Sequence, residues 1–538
     1  MRFVVSMKIA SARLQVLSLL SFSVAYLRDA SGWKRAGLAF VCGSLMALAM
    51  PPFNCLPLLW VCLPALILLL QGTKNLSQAF MTGWIFAFGF FVFSLYWIAA
   101  SMFVDIRAFW WAVPLSVMGL PAFFALYYGL AAVLARKIGL GGIAGALTFG
   151  LLWFVGDYAR GHMFTGFPWN LTGYAWSGSL PVLQVTSVIG IYGLTLLTLI
   201  AVSLTAALVD HSRLSKNLFL TSLLLFVALA VGGEVRLQTT QVGVVPDVRL
   251  RLVQPDIAQA HKWREEEREG YFQDLLAMSS APAVKPVTHI IWPETASTYY
   301  LDEDPAHRQE IGLHIPAAAT VLTGVIRHDM DTDGYTRFYN SLVAVDGLGR
   351  IVAGYDKSHL VPFGEYMPWR KYIPLRTLAA SGADFSAGNG PRSLRVLGLP
   401  TFSPLICYEA IFPGAVIDRN DRPEFILNIT NDGWYGNTIG PYQHFAIVRV
   451  RAIEEGLPLV RAANTGISAV IDPLGRIKIR LGIGQKASID SDLPMPLALT
   501  LFERWGEMLL WVAFGLLTIV TVCIRVRERA KTQSPTPV

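Results

Sequence analysis

The sequence predicts a chain in two parts: a multi-pass α-helical membrane domain of about eight spans, and an α/β domain inserted before the last span. Three observations carry this. Of 538 residues, 54% are apolar and only 15% are charged, against about 25% charged in ordinary soluble domains. Mean hydropathy is +0.48. The apolar residues gather in long charge-free runs, yet residues 234–504 break that pattern with short β-rich runs and charged helical ones. A disordered chain, a collagen, a coiled coil and an ordinary cytosolic enzyme are excluded.

Residues 1–33 read as an N-terminal extension. Within it, 14–27 is apolar for only 14 residues, a length typical of interfacial or signal segments. Arg2, Lys8 and Arg13 precede it as in a signal n-region, but no clear small-residue cleavage site follows. An interfacial helix or a loosely ordered extension is expected, not a ninth span. Residues 36–73 then carry no Asp, Glu, Lys or Arg, and Pro51-Pro52-Phe53-Asn54 divides them in two. Residues 75–104, 108–135, 138–156, 181–209, 217–233 and 508–524 are also charge-free. A span needs roughly 20 apolar residues, about 17 at least. In lipid every backbone polar group must pair within its own segment, so these runs should be helices. Seven spans fall in 34–233 and the eighth in 505–538, ahead of a basic tail.

Basic residues set the orientation. With the N-terminus inside, Arg28, Lys34, Arg35, Lys74, Arg136, Lys137, Arg213, Lys216, Arg525, Arg527, Arg529 and Lys531 all face the cytoplasm. The short outer loops keep only Arg107 and Arg160. Residues 234–504 then lie outside the cytoplasm. The net charge of +7 sits beside the spans and forms no aromatic-interleaved basic stripe of the kind that binds nucleic acid. Four of the five cysteines, Cys42, Cys55, Cys62 and Cys523, lie in apolar runs. Cys407 is the only thiol of the α/β domain, so no disulfide scaffold is expected there.

In that domain, strands are expected at 249–254, 289–292, 321–325, 341–345, 351–355, 402–407, 425–430 and 459–463, and a charged helix at 263–278. Several strands end in a polar residue beside Pro or Gly, and chemistry in α/β folds sits on such strand ends. Cys407, alone, reads as a buried structural cysteine. Its place at a strand end, with carboxylates and a lysine at two others, turns the reading toward a nucleophile. A thiolate is the reactive form and needs a base or cation beside it. Glu294, in Ile291-Trp292-Pro293-Glu294-Thr295, is either a solvated strand-end carboxylate or a base partly desolvated by its apolar neighbours. Lys357, in Tyr355-Asp356-Lys357-Ser358-His359, is by itself a surface lysine; beside a thiol it would stabilise an oxyanion. Asp432 is assigned a turn-forming role next to Gly433 and not that of a fourth catalytic acid. No H-E-x-x-H, paired-cysteine spacing or P-loop occurs, so neither metal nor cofactor is expected.

Glu in WPET, Lys in YDKSHLVPFGEYMP and Cys in ICYE resemble the catalytic trio of the nitrilase superfamily. Over roughly residues 34–525 the chain resembles, more narrowly, the apolipoprotein N-acyltransferases. The match runs through Thr165-Gly166-Phe167-Pro168-Trp169, His261-Lys262-Trp263, Thr430-Asn431-Asp432-Gly433-Trp434-Tyr435-Gly436, Gly440-Pro441-Tyr442-Gln443-His444 and Asn464-Thr465-Gly466. Two motifs depart from the family pattern: S-N-D-x-W-F-G reads T-N-D-G-W-Y-G, and N-N-G reads N-T-G. Those departures are expected to bear on substrate packing and not on chemistry. The first 33 residues lie outside the resemblance, as a misassigned start codon would leave them.

The resemblance implies a nitrilase-like αββα sandwich and a two-stage acyl transfer. Glu294 takes the thiol proton, and Cys407 attacks an ester of a phospholipid, typically phosphatidylethanolamine. The resulting thioester passes its acyl chain to the N-terminal amine of a diacylglyceryl-cysteine apolipoprotein, with Lys357 stabilising both oxyanions. Glu365 and Glu409 support the site, Tyr408 follows the nucleophile, Trp263 lies near the substrate entrance, and Trp434 joins the supporting or substrate-binding set. The implied setting is the bacterial inner membrane, with residues 234–504 periplasmic and the chain acting as a monomer. Residues 363–369, rich in aromatics, are expected to form a mobile lid over the thioester. Two rivals remain: a membrane-tethered amidase that admits water to the same thioester, and a transporter with a degenerate outer domain. The near absence of charge inside the spans disfavours the transporter.

Overall fold

The computed structural model describes residues 23–330, 334–372, 377–378 and 384–533. Most of the 14–27 segment therefore lies outside the described residues; 23–29 are helical. Helices occupy each of the eight places marked by charge-free runs: α1 (Gly32–Met46), α2 (Pro57–Gln71), α3 (Leu76–Leu95), α4 (Leu120–Ile138), α5 (Gly142–His162), α6 (Thr186–Leu204), α7 (Arg213–Thr239) and, after the α/β domain, Met508–Gln533. Among the described residues, six helical stretches are long and apolar enough to cross a membrane: Leu76–Phe109, Ala112–Ile138, Gly142–His162, Thr186–Asp210, Arg213–Thr239 and Met508–Lys531. The first two helices stop at 15 residues each, about 22 Å at 1.5 Å per residue. The Pro51–Asn54 break is what shortens them.

α6 is broken near its start by Gly190, at φ 65° and ψ 177°. The break frees the amide of Ile191, which donates to Glu454 Oε1 of the α/β domain at 2.7 Å. A carboxylate thus caps a helix start inside the protein, where an unpaired donor would be costly.

The α/β domain has two six-stranded sheets. The first runs β12 (Ala487–Pro494), β1 (Val244–Gln254), β2 (His289–Ile291), β3 (Thr320–Met330), β4 (Thr336–Asp346), β5 (Ile351–Asp356). The second runs β11 (Ile477–Leu481), β10 (Ser468–Ile471), β9 (Leu459–Ala463), β8 (Phe425–Thr430), β7 (Leu399–Ile406), β6 (Leu394–Val396). In each sheet three neighbouring strands are parallel, β1-β2-β3 and β7-β8-β9, and the flanking strands are antiparallel. Alternate residues face alternate sides of a strand. Leu250, Leu252, Ile291 and Leu322 therefore meet Phe402, Phe425, Leu427 and Val460 between the sheets. On the outer face of the first sheet, Ile290 and Val321 pack under α8 (Glu265–Ser279) and α9 (Pro305–His314) through Phe272, Leu275 and Ile311. On the second, Leu405, Ile426 and Leu459 pack under α10 (Gly440–Glu455) through Phe445, Val448 and Ala452. The result is an αββα sandwich.

α10 was not anticipated, nor were α9, β6 and β10–β12. Its Arg451, Glu454 and Glu455 suggest a solvated face, yet all three are fully buried. The reason is its second neighbour: Ile447, Val450 and Ile453 belong to the core of the membrane helices. At the start of α10 a Cβ on Gly440 would stand 2.8 Å from the Trp97 ring, so only glycine allows the two parts to meet there.

Candidate active site

The strand ends bring the chemistry together. Glu294 follows β2, Lys357 follows β5, and Cys407 follows β7; their exposures are 5%, 1% and 5%. Lys357 Nζ lies 2.9 Å from Glu365 Oε1 and 3.7 Å from Glu294 Oε1. Asn340, near the middle of β4, donates through Nδ2 to both carboxylates, at 2.8 Å to Glu294 and 2.9 Å to Glu365. Glu365 Oε2 accepts the Val361 amide at 2.8 Å. Glu294 Oε1 is thus pinned, while its Oε2 is buried without a partner among the described residues. Burial opposes the charge of Lys357, but Glu365 and then Glu294 hold its pKa well above the ordinary lysine range.

Cys407 opens a short 3-10 turn, Cys407–Ile411, and sits at φ +53°. A non-glycine residue in that region is strained and must be held by its surroundings. Glu409 does much of the holding. Its Oε2 accepts the Ile406 amide at 2.7 Å. Its Oε1 accepts from Ser358 N at 2.7 Å, Ser358 Oγ at 2.8 Å, His359 N at 3.1 Å and Tyr355 Oη at 2.7 Å. One carboxylate therefore ties the nucleophile's turn to the turn that carries Lys357. Burial pushes the Cys407 thiol up to about 12, helped by Glu294 and opposed by Lys357. At neutral pH the resting sulfur is a thiol, and proton removal must accompany attack.

The other predicted site residues lie further out. Tyr408 points away from the thiol, its hydroxyl donating to the carbonyl of Gly166 in the membrane loop at 2.9 Å. Trp263 is 39% exposed on the turn before α8, and Trp434 is half-buried. Among the described residues neither indole stacks on another aromatic ring. Phe363 and Trp369, at 51% and 63% exposure, stand on a loop with positive φ at both positions. Asp432 does open a turn, Asp432–Tyr435, but it is also buried between Arg461 Nη2 at 2.8 Å and His444 Nδ1 at 2.9 Å.

Three residues with direct contacts to this network were missed, and so was Gln443, which binds the indoles packed around Tyr435. Asn340 lies one residue before a predicted strand and read as its flank. Lys262, buried beside Glu294, donates to the Glu294 carbonyl at 3.2 Å and to Thr295 Oγ1 at 2.7 Å; burial lowers it to about 8. Gln443 Oε1 accepts from Trp97 Nε1 at 3.1 Å, Trp169 Nε1 at 2.8 Å and Asn170 Nδ2 at 3.4 Å. Tyr435 Oη lies 3.9 Å from Cys407 Sγ. Lys262, Gln443 and Tyr435 sat in motifs already singled out, but nothing in their spacing told which side chain faced inward. Among the described residues no group of three or more His, Cys, Asp or Glu side chains is arranged to hold a metal ion.

A cysteine, a carboxylate and a lysine on strand ends of an αββα sandwich, joined to long apolar helices, define a membrane-fused carbon–nitrogen hydrolase fold. Residues 249–497 match the carbon-nitrogen hydrolase family, and 42–207 match the apolipoprotein N-acyltransferase N-terminal domain. The chain is 39% identical over 517 residues to an apolipoprotein N-acyltransferase of Rhodopseudomonas palustris, covering 93% of this chain and 96% of that one. With the protein of the same description from Brucella melitensis it shares 38% identity, over 92% of this chain and 96% of the other. The chain belongs to the apolipoprotein N-acyltransferase family. Among solved structures, a CN-hydrolase superfamily protein from Xanthomonas campestris aligns with 18% identity and a TM-score of 0.33, covering 55% of this chain and 99% of that one.

Proposed function

We propose that this chain moves a fatty acyl group from a phospholipid, such as phosphatidylethanolamine, through a thioester on Cys407 to the N-terminal amine of a diacylglyceryl-cysteine apolipoprotein. The observation that carries the reading is the position of the thiol at the seam of the two parts. Tyr408 beside it reaches Gly166 of a membrane loop, and Tyr435 beside it packs on Trp97 at 4.5 Å. Two substrates whose acyl chains stay in the bilayer need a nucleophile that opens toward the helices.

In the first stage Glu294 Oε2 takes the thiol proton as Cys407 Sγ attacks the ester carbonyl. Lys357 stabilises the oxyanion, which collapses as the lysophospholipid alkoxide leaves with the proton from Glu294. In the second stage the amine attacks the thioester, Glu294 takes its proton, the C–S bond breaks, and Glu294 returns that proton to the departing sulfur. Splitting one hard transfer into two lowers each barrier. Glu365 and Asn340 hold Lys357 and Glu294 in register; Glu409 and Tyr408 hold the nucleophile's turn. Trp263 and Trp434 contact substrate at the entrance, and residues 363–369 close over the thioester. Replacing Phe363 and Trp369 with Ala should slow both stages; unchanged rates in both would refute the lid.

In this reading residues 34–233 and 505–538 form the membrane part, and 234–504 form a catalytic domain on the periplasmic face of the bacterial inner membrane. The chain works as a monomer. The deciding experiment is intact-protein mass spectrometry after incubation with phosphatidylethanolamine. Wild type should gain one acyl mass on Cys407 and release it only when a diacylglyceryl-cysteine peptide is added; Cys407→Ala should gain none. An acyl-enzyme that hydrolyses rapidly without an amine would favour the amidase alternative.

A further inference from the structure

β8 ends at Thr430, and the chain turns back through Asp432–Tyr435 over the end of β7. The turn is closed by its own polar groups. Asn431 Oδ1 accepts the Gly433 amide at 3.2 Å, and Thr438 Oγ1 donates to the Tyr435 carbonyl at 2.8 Å. It delivers the Tyr435 ring to a slot framed by three other rings: Trp97 at 4.5 Å, His444 at 5.7 Å and Trp169 at 5.9 Å between centroids. A ring so framed has little freedom at χ1 and χ2, so its hydroxyl has a fixed address. That address is 3.9 Å from Cys407 Sγ, the outer edge of a hydrogen bond to sulfur.

The charges around the thiol leave a need there. Glu294 and Asp432 bear on it as carboxylates and Lys357 as the cation. Lys357 is already shared between Glu365 and Glu294. Asp432 is occupied by Arg461 and His444, and Thr430 Oγ1 donates to Asp432 Oδ1 at 3.1 Å. A negative sulfur therefore faces two carboxylates and one divided ammonium.

We propose that Tyr435 is a further catalytic residue, whose hydroxyl donates a hydrogen bond to the Cys407 sulfur whenever that sulfur carries negative charge. For turnover this rests on the acyl-transfer reading; for the reactivity of the thiol it does not. In acylation the thiol proton goes to Glu294 as the S–C bond forms. In deacylation the C–S bond breaks, its electron pair returns to sulfur, and the proton of the amine passes by way of Glu294 to that sulfur. Tyr435 keeps its own proton throughout and only shortens its contact as charge builds. Burial, and then the neighbouring thiol, keep that phenol protonated well above its ordinary range, so it is a donor at any working pH.

The test reads the sulfur directly. The full chain in detergent is treated with iodoacetamide between pH 7 and 10, and alkylation of the Cys407 peptide is followed by mass spectrometry. Tyr435→Phe keeps the ring and removes the donor. Its alkylation should be about tenfold slower throughout, the scale of one hydrogen bond to a charged group. Incorporating 3-fluorotyrosine at position 435, compared with wild type at the pH 7 end of the range where its phenol stays protonated, nearly preserves shape but makes the phenol a stronger donor, so alkylation there should be faster than wild type. Opposite responses of the two variants support the proposal. Rates that are unchanged, or that fall in both, overturn it, because a packing role would treat both as perturbations of the same ring. A wild type that forms no acyl-enzyme from phospholipid would sink the transfer reading while leaving this thiol profile readable.

Discussion

The two sheets contribute unequal halves of the site. The first sheet supplies Glu294, Asn340, Lys357 and Glu365, whose polar atoms interlock within 2.8–3.7 Å. The second supplies Cys407 on a strained turn at φ +53°, packed in the core between the sheets, with a long polar contact of 3.9 Å to Tyr435 Oη. The first half touches the membrane helices through Val361 of the Lys357–Glu365 loop, and the second rests on them more broadly, through α10, Tyr408, Gln443 and Tyr435. In the proposed reaction the acid–base half is already interlocked, whereas the thiol half faces the membrane helices with its sulfur protonated. On the acyl-transfer proposal, charge stabilisation is built into the strand ends of one sheet and adaptability is left to the thiol half.

The sharpest way to break this division is to unbalance the interlocked half. Lys357→Met leaves Glu294 and Glu365 buried without their cation. Removing one partner of such a buried group costs about 3–5 kcal/mol, and losing an oxyanion donor costs about 10³-fold in rate. Acylation followed by stopped-time mass spectrometry should fall by about 10³-fold. Thermal unfolding should drop as well. Adding Glu365→Gln to Lys357→Met should recover part of the stability and none of the rate. Recovery of rate would mean that Lys357 only neutralises charge.

Glu409→Gln attacks the tie between the halves. The amide cannot accept all of Ile406 N, Ser358 N, Ser358 Oγ, His359 N and Tyr355 Oη, so the two turns should drift apart. A misplacement of about 1 Å can cost about 10²-fold. Both transfer stages should slow by that order, while iodoacetamide alkylation of Cys407 changes far less. Equal losses in both assays would show that Glu409 acts on the thiol itself.

How much of this was legible in the sequence follows the same line. Glu294 and Lys357 were readable because each follows a β-rich run with a polar residue, whereas Asn340, inside β4, and Glu365, on a loop, carry no such mark; in the second sheet β8 and β9 fell at the predicted 425–430 and 459–463. Where burial is decided by a distant partner, the sequence fell short. α10 carries Arg451, Glu454 and Glu455 on faces that meet a sheet and a membrane helix, so its pattern resembles a solvated helix. Trp434 and Tyr435 are consecutive, and composition does not tell which of two neighbouring rings turns inward; the structure turns Tyr435 to the thiol. The departure that replaces the family's Phe with Tyr435 looked like packing, yet it brings a hydroxyl to the sulfur.

Gln443→Met sharpens the membrane side of the comparison. It removes the shared acceptor of Trp97, Trp169 and Asn170, and a buried donor left unmet costs about 1–3 kcal/mol. The floor beneath Tyr435 should loosen, and phospholipid-dependent acylation should fall about tenfold if roughly 1.4 kcal/mol of positioning is lost. Alkylation by small, water-soluble iodoacetamide should hardly change. An equal fall in both would place the effect on the thiol and not on the lipid route.

The smallest effect at working pH concerns Asp432, which anchors the second half from below and shows itself only in acid. Burial opposes its charge, but Arg461 and His444 lower its carboxyl from 3.8 to about 2. A carboxyl held below its unfolded value stabilises the fold above that value and loses the contribution as pH falls through the folded one. The window is therefore about pH 4 to 2, and the contribution lost across it is about 2–3 kcal/mol. Denaturant unfolding in detergent, read by tryptophan fluorescence, should lose that much more for wild type than for Asp432→Asn across the window. Parallel acid slopes would mean that Arg461 finds another partner and that the nucleophile half is less dependent on this ion pair than its burial implies.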